Sequence, residues 1–360
     1  MKDLKPLFDF DDILIVPKVK TRISSRYNDV ILPKILPLFT APMDTVVDLN
    51  NIDNFKSIGI SVTLPRTIKY DKFINYLVDN ETSYVNYTTF ISMGFEDIDF
   101  HLKTSLRNLR QNLCIVIDVA SAHMQKLFDY TQEIKRLRPD IIIMIGNIAN
   151  PQTYRWYAES KSVDYIRVGI GNGGGCLTTK QSGVGYPMAS LIYEIRQEKL
   201  LYLYDHQDEK NLKVPAIVAD GGMKNYSDII KALALGADYV MLGSIFNKAL
   251  ESCAQNYLYG IKINKGIANY FFNKGYPVKK YFRGMSTKEA QKAMGKTSFK
   301  TSEGVIRYRK VEYHLSGWIE NFEHYLRNAM SYCDAQTLDE FIGKAEICQI
   351  TTKAYDRFNK

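Results

Sequence analysis

Cys176 closes an unusual run, Gly169-Ile170-Gly171-Asn172-Gly173-Gly174-Gly175-Cys176, and Leu177, Thr178 and Thr179 follow it. Glycines let a backbone take positive φ and approach a ligand closely. Successive free N–H groups in such a loop can cradle a phosphate. A free cysteine is most often a small buried hydrophobe. At the end of a glycine loop, with hydroxyls beside it, a cysteine is better placed for nucleophilic attack. Gly169, Gly171 and Gly174 also match the dinucleotide fingerprint. That fingerprint belongs to the first strand–helix unit of a chain, and here it falls in the sixth, which argues against it.

Other residues with chemical potential sit where apolar runs end. Asp220-Gly221-Gly222 offers a carboxylate for two ribose hydroxyls and glycines for phosphate access. Its alternative is a turn whose aspartate caps its own backbone, and spacing does not separate the two. Asp44 and Asp118 pose the same choice, and Asn147 and Gly243-Ser244 complete the set. The five histidines are dispersed, and none forms an evident triad with Cys176.

These residues need a scaffold that brings many strand ends together. Eight short apolar runs supply it: 38–41, 59–63, 89–92, 113–119, 141–146, 165–169, 216–219 and 239–243. Several are apolar on successive residues, as strands buried on both faces of a parallel sheet require. Helical patterns lie between many of them. Ile98, Leu102, Leu106 and Leu109 share one helical face. Asn150-Pro151 reads as a cap followed by proline at the first helical position. Ile229, Ile230, Leu233 and Ala234 form a stripe that Gly236 ends. Eightfold alternation predicts an α/β chain folded as a (β/α)8 TIM barrel, with an open doubly wound sheet as the alternative. Such barrels carry their chemistry at the strands' C-terminal ends.

After the eighth run, residues 251–314 are rich in Gly, Lys, Asn and Tyr and read as an active-site flap. C-terminal helices follow, with Ile319, Phe322, Leu326 and Met330 in one stripe, and Thr337 with Glu340 as the capping box of the last helix.

A chain of 360 residues suits one large barrel, and no second domain, repeat or low-complexity tract interrupts it. Residues 1–360 are therefore read as a single domain. No apolar stretch approaches the roughly 20 residues that cross a bilayer, and Met1 to Pro6 carries no apolar signal core. Cys114, Cys176, Cys253, Cys333 and Cys348 are scattered, without Cys-x-x-Cys spacing, so a zinc site is not expected. Free thiols point to a reducing, cytoplasmic location. The net charge of +8 is spread without a long basic run. It reads as a solvated surface, and neither nucleic acid nor a membrane is an expected partner.

Taken together, the ordered blocks resemble the IMP dehydrogenase and GMP reductase family over nearly the whole chain. They include Phe10 to Pro17, Ala41-Pro42-Met43-Asp44-Thr45-Val46, Gly169 to Thr179, Gly183 to Pro187, Ala219 to Gly222, Met241 to Ser244 and Arg283-Gly284-Met285-Ser286. Within the family the chain is similar to the reductases. It has no room for the CBS modules usual in dehydrogenases. Tyr186-Pro187 and Met285-Ser286 resemble the reductase pattern. Only 17 residues lie between Met285 and Glu303, with no Arg-Tyr pair among them, and Lys300 to Gly304 looks like the reductase flap motif.

The resemblance implies NADPH-dependent reductive deamination of GMP to IMP and ammonia. Cys176 would attack purine C2, and Thr178 and Glu303 would protonate the departing ammonia. Asp220 would hold the ribose hydroxyls. Gly174, Gly221, Gly222, Gly243 and Ser244 would surround the phosphate, and Gly284, Met285, Ser286 and Lys300 would contact the substrate. Asp118, Ala120 and Ser121 would lie near the nicotinamide. The family also implies a homotetramer and a monovalent cation such as potassium on carbonyls of Gly171, Gly173 and Cys176. The alternatives are a dehydrogenase without CBS modules, oxidising IMP to XMP with NAD, and a catalytically impaired nucleotide-binding regulator. The retained Cys176, Thr178, Asp220 and Glu303 argue against the last.

The chain also departs from the family. Gly174 stands where a serine is usual, which removes a phosphate hydroxyl contact. Gly175 replaces a bulkier residue, which should loosen the loop. Met188 stands for a usual glutamine. Lys300 stands for a usual arginine and cannot reproduce its planar fork. Arg66 stands in for the usual residues after the second strand.

Overall fold

The computed structural model describes residues 5–79, 89–295 and 304–358. All eight apolar runs are strands: β1 (Leu38–Thr40), β2 (Val62–Leu64), β3 (Thr89–Met93), β4 (Cys114–Asp118), β5 (Ile142–Ile148), β6 (Tyr165–Val168), β7 (Ala216–Asp220) and β8 (Tyr239–Leu242). They pair in parallel in the order β1-β8-β7-β6-β5-β4-β3-β2. A single parallel bridge between Phe39 and Ser61, just before β2, joins the two ends. Thr40 N donates to Ser61 O at 2.9 Å, and Ser61 N to Leu38 O at 3.0 Å. The sheet is therefore a (β/α)8 barrel, and the open alternative is excluded.

The interior holds Phe39, Phe90, Cys114, Val116, Met144, Val218 and Met241. The Phe39 and Phe90 rings meet edge to face with centroids 5.6 Å apart, a favoured aromatic geometry. Such a filled barrel is a packed core rather than a pore, so chemistry is confined to its mouth. A larger apolar layer fills the space between strands and surrounding helices.

The local signals acted as chemistry requires. Asn150 caps helix Pro151–Ser160 by accepting from Gln152 N, with proline in the first turn. Helix Tyr226–Leu235 ends on Gly236 at φ 117°. It is buried from Asp228 to Leu235 rather than along one stripe. Helix Leu315–Tyr332 and the terminal strands cover its outer side.

Two helix readings need correction. The helix after β3 stops at Thr104, and Leu106–Asn108 forms a separate 3-10 turn. Arg138 fixes the break by donating to the carbonyls of Leu106, Leu109 and Arg110 at 2.9–3.0 Å. Thr337 precedes a short helix, Leu338–Phe341, without a side-chain cap bond. Glu340 accepts instead from Gln336 N at 2.9 Å, and another helix, Thr352–Phe358, follows.

The 251–314 region builds an antiparallel sheet from β9 (Asn256–Leu258), β10 (Ile261–Ile263), β11 (Lys279–Arg283) and β12 (Ile306–Lys310), in the order β10-β9-β11-β12. Leu250, Leu258, Ala268, Val278 and Val311 give it a small core of its own. Far from this sheet in sequence, strand Ile13–Val16 pairs antiparallel with strand Glu346–Gln349, tying the two ends of the chain together.

Candidate active site

A cavity of about 510 Å³ opens at the C-terminal ends of the barrel strands, roofed by β11 and the residues after it. Among the predicted site residues, Gly171, Gly173, Gly174, Cys176, Thr178, Asp118, Ala120, Asp220, Gly221, Gly222, Gly243, Ser244, Gly284, Met285 and Ser286 all line it. Ser121, half-buried, is not among its lining residues. Lys300 and Glu303 lie outside the described residues.

The cysteine loop is held at both ends. Gly171 has φ 83°, and a Cβ there would stand 1.7 Å from Thr179 Oγ1, so only glycine fits. Cys176 N donates to Gly173 O at 2.9 Å. The Cys176 thiol donates to Thr178 Oγ1 at 3.2 Å. From above, Gly304 forms an antiparallel bridge with Cys176, and Val305 N donates to Gly175 O at 3.1 Å. The residue that follows Glu303 in the chain is thus paired with the candidate nucleophile. The looseness expected from Gly175 is not found: a Cβ there would lie 3.2 Å from both Phe282 Cε1 and Gly284 Cα. The Phe282 ring takes the space a side chain would fill.

Behind the loop, Arg167 crosses the barrel mouth between two carboxylates. Its Nη1 lies 2.7 Å from Asp118 Oδ1 and its Nη2 2.7 Å from Asp220 Oδ2. Burial alone would lower its pKa, but the two carboxylates outweigh burial and hold it protonated. Gly146 makes the crossing possible, since a Cβ there would lie 2.3 Å from Arg167 Cβ. Asn147 Nδ2 donates to Asp220 Oδ2 at 2.9 Å and to Gly169 O at 2.8 Å. These bonds use Oδ2 and orient Asp220 with Oδ1 available to accept from a ligand. Arg66 lines the outer wall, its Nη1 3.5 Å from Asp118 O. Its Nε is buried with no partner among the described residues.

Asp44, a strand-end candidate, is structural instead: Arg283 binds both of its carboxylate oxygens, and it does not line the cavity. Among the other thiols, burial pushes Cys114 up to about 12 and raises Cys253 too, which suits inert packing. Among the described residues no group of three or more His, Cys, Asp or Glu could hold a metal. The sequence reading missed Arg167 and Phe282. A lone arginine inside the apolar strand Tyr165-Ile166-Arg167-Val168 was the available signal for the first; a second aromatic in a tyrosine- and phenylalanine-rich stretch offered none for the second.

Residues 101–357 match the family model for the IMP dehydrogenase / GMP reductase domain. The chain is 26% identical to a GMP reductase of Onchocerca volvulus, across 98% of this chain and 94% of that protein. It is 27% identical to a GMP reductase of Caenorhabditis elegans, across 98% and 95%. A GMP reductase of Streptococcus agalactiae serotype V shares 30% over 69% of this chain and 72% of that protein. With a closed barrel, a glycine loop ending in cysteine and this extent of match, the chain belongs to the IMP dehydrogenase and GMP reductase family.

Proposed function

We propose that the protein converts GMP, NADPH and two protons to IMP, ammonium and NADP⁺. The observation that carries this reading is Cys176: a thiol in the mouth of the cavity, 3.2 Å from the Thr178 hydroxyl and clamped between the glycine loop and Gly304. The relatives named GMP reductase support the choice of reaction over dehydrogenation.

In this reading the Cys176 proton is relayed through the Thr178 hydroxyl toward Glu303 as the sulfur adds to purine C2. The exocyclic amine leaves as ammonia, protonated through Thr178 and Glu303. Asp220 accepts from the ribose hydroxyls through the oxygen that Arg167 and Asn147 leave open. Gly174, Gly221, Gly222, Gly243 and Ser244 surround the phosphate. Gly284, Met285, Ser286 and Lys300 meet the base and its surroundings. The cofactor would sit against the wall formed by Asp118, Ala120 and Arg66, with Ser121 just outside the cavity. When bound there, NADPH would supply the hydride that reduces purine C2, and the C2–S bond breaks to return the Cys176 thiolate. A monovalent cation would rest on carbonyls of Gly171, Gly173 and Cys176, of which Gly173 O already accepts one bond. A cytoplasmic homotetramer, as the family resemblance implies, completes the reading.

The test is to mix the purified chain with GMP and NADPH, and separately with IMP and NAD, while following absorbance of the reduced cofactor. Loss of NADPH with GMP, abolished in Cys176→Ser, is the expected result. NADH formation from IMP without NADPH loss on GMP would make the chain a dehydrogenase instead. Turnover undiminished in Cys176→Ser would remove the covalent step.

A further inference from the structure

Arg309, on β12, is a half-buried cation in a notch that the proposed reaction leaves unassigned. Its guanidinium carbon lies 3.8 Å from the centre of the Phe282 ring, itself only 1% exposed. Arg309 Nη1 makes a long contact of 3.4 Å with Ser244 O. A Cβ placed on Gly174 would come within 3.3 Å of Arg309 Nη2 and 3.9 Å of Ser244 Oγ. The guanidinium therefore stands behind Gly174 and Ser244, both of which line the cavity. Arg309 itself does not line the cavity, and glycine at 174 leaves no side chain between its guanidinium and the loop that does.

Among the described residues no carboxylate answers this charge. Arg309 forms no ion pair among those residues, and Glu312, whose charge favours the protonated form of Arg309, is held by Lys248 at 3.0 Å. Burial and the neighbouring Arg307 both disfavour its charged form. A partly desolvated arginine without a counter-ion carries a cost, and an anion beside it offsets that cost. A guanidinium also matches phosphate geometry through paired N–H donors.

We propose that Arg309 binds the phosphate of a nucleoside 5′-monophosphate through the opening that Gly174 leaves. This rests on the reading that Gly174, Gly221, Gly222, Gly243 and Ser244 surround that phosphate. The serine usual at position 174 would contribute a neutral hydroxyl; here a charged donor reaches the same place from β12. The exchange favours phosphorylated ligands over nucleosides more strongly than a hydroxyl would, because charge-assisted bonds are about twice as strong as neutral ones.

The test compares binding of GMP, AMP, guanosine and inorganic phosphate to the full chain and to Arg309→Met, which keeps a side chain against Phe282. The expected result is a loss of about 10- to 100-fold for the monophosphates the wild type binds, with guanosine unchanged. Gly174→Ser added to Arg309→Met should recover part of that loss. Equal loss for GMP and guanosine would make Arg309 a packing residue and overturn the proposal. So would undiminished monophosphate binding, or a wild type that binds neither monophosphate nor inorganic phosphate. If Arg309→Met does not fold, Arg309→Lys is read the same way, with a smaller phosphate-specific loss expected. A chain that binds monophosphates but consumes no NADPH with GMP would refute the reaction and leave the nucleotide-against-nucleoside comparison as an independent measure of Arg309.

Discussion

At the scale of single residues, Arg167 decides how the two acidic strand-end residues behave. Asp118 and Asp220 share one guanidinium, and each keeps an oxygen outside that bond. Arg167→Met would leave two carboxylates facing each other at the cavity with no cation between them. Breaking a buried charge pair by removing one partner costs about 3–5 kcal/mol. The expected outcome is a lower urea midpoint at neutral pH. A midpoint equal to wild type would show that the bridge contributes nothing. Cys176 and Asp220 were legible as candidates because their types and flanking glycines carry the chemistry. Arg167 was not, since its role depends on where β6 stands relative to β4 and β7.

At the scale of elements, the sheet β9–β12 shows why the 251–314 segment resists reading. Its strands are short and rich in lysine, and alternation is masked where a lysine points inward. Lys280 is fully buried, and its ammonium donates to Leu250 O and Ser252 O. Burial pushes its pKa down from 10.5 to about 7, with Cys253 and Glu251 opposing and Lys265 assisting. The unfolded chain keeps this proton to about 10.5 and the folded chain only to about 7. Between those values the unfolded state binds the extra proton, so stability rises with pH. Below about 7 both states are protonated and the burial penalty is complete. Lys280→Met should therefore have a flatter stability profile than wild type from pH 7 to 10. Urea unfolding at several pH values measures it, and parallel profiles for the two proteins would refute it.

At the scale of the whole molecule, the two ends of the chain are joined. Ile13, wholly buried, sits in a strand whose partner is Glu346–Gln349, and Ile350 N donates to Asp12 O at 2.8 Å. Arg22 holds Asp334, and Lys224 holds Asp11, across the same region. Ending the chain after residue 345 would strip Ile13–Val16 of its ladder. A lowering of the thermal midpoint by at least about 5 °C is expected, corresponding to a few kcal/mol in a chain of this size. An unchanged midpoint in scans at one heating rate would show that the strand pair is dispensable.

The sequence by itself determined the eight strands, the barrel and the positions of the cysteine loop and the aspartate turn. Each of these rests on local chemistry: apolar runs that must be buried on both faces, glycines that take positive φ without steric cost, a thiol flanked by hydroxyls. Tertiary structure alone decided the rest. Arg167 pairing with both Asp118 and Asp220, Phe282 filling the space beside Gly175, Asp44 spent on Arg283 and Arg309 arriving behind Gly174 all join residues remote in the chain. Their partners are set by how strands and loops meet at the barrel mouth, and no spacing along one segment encodes that meeting.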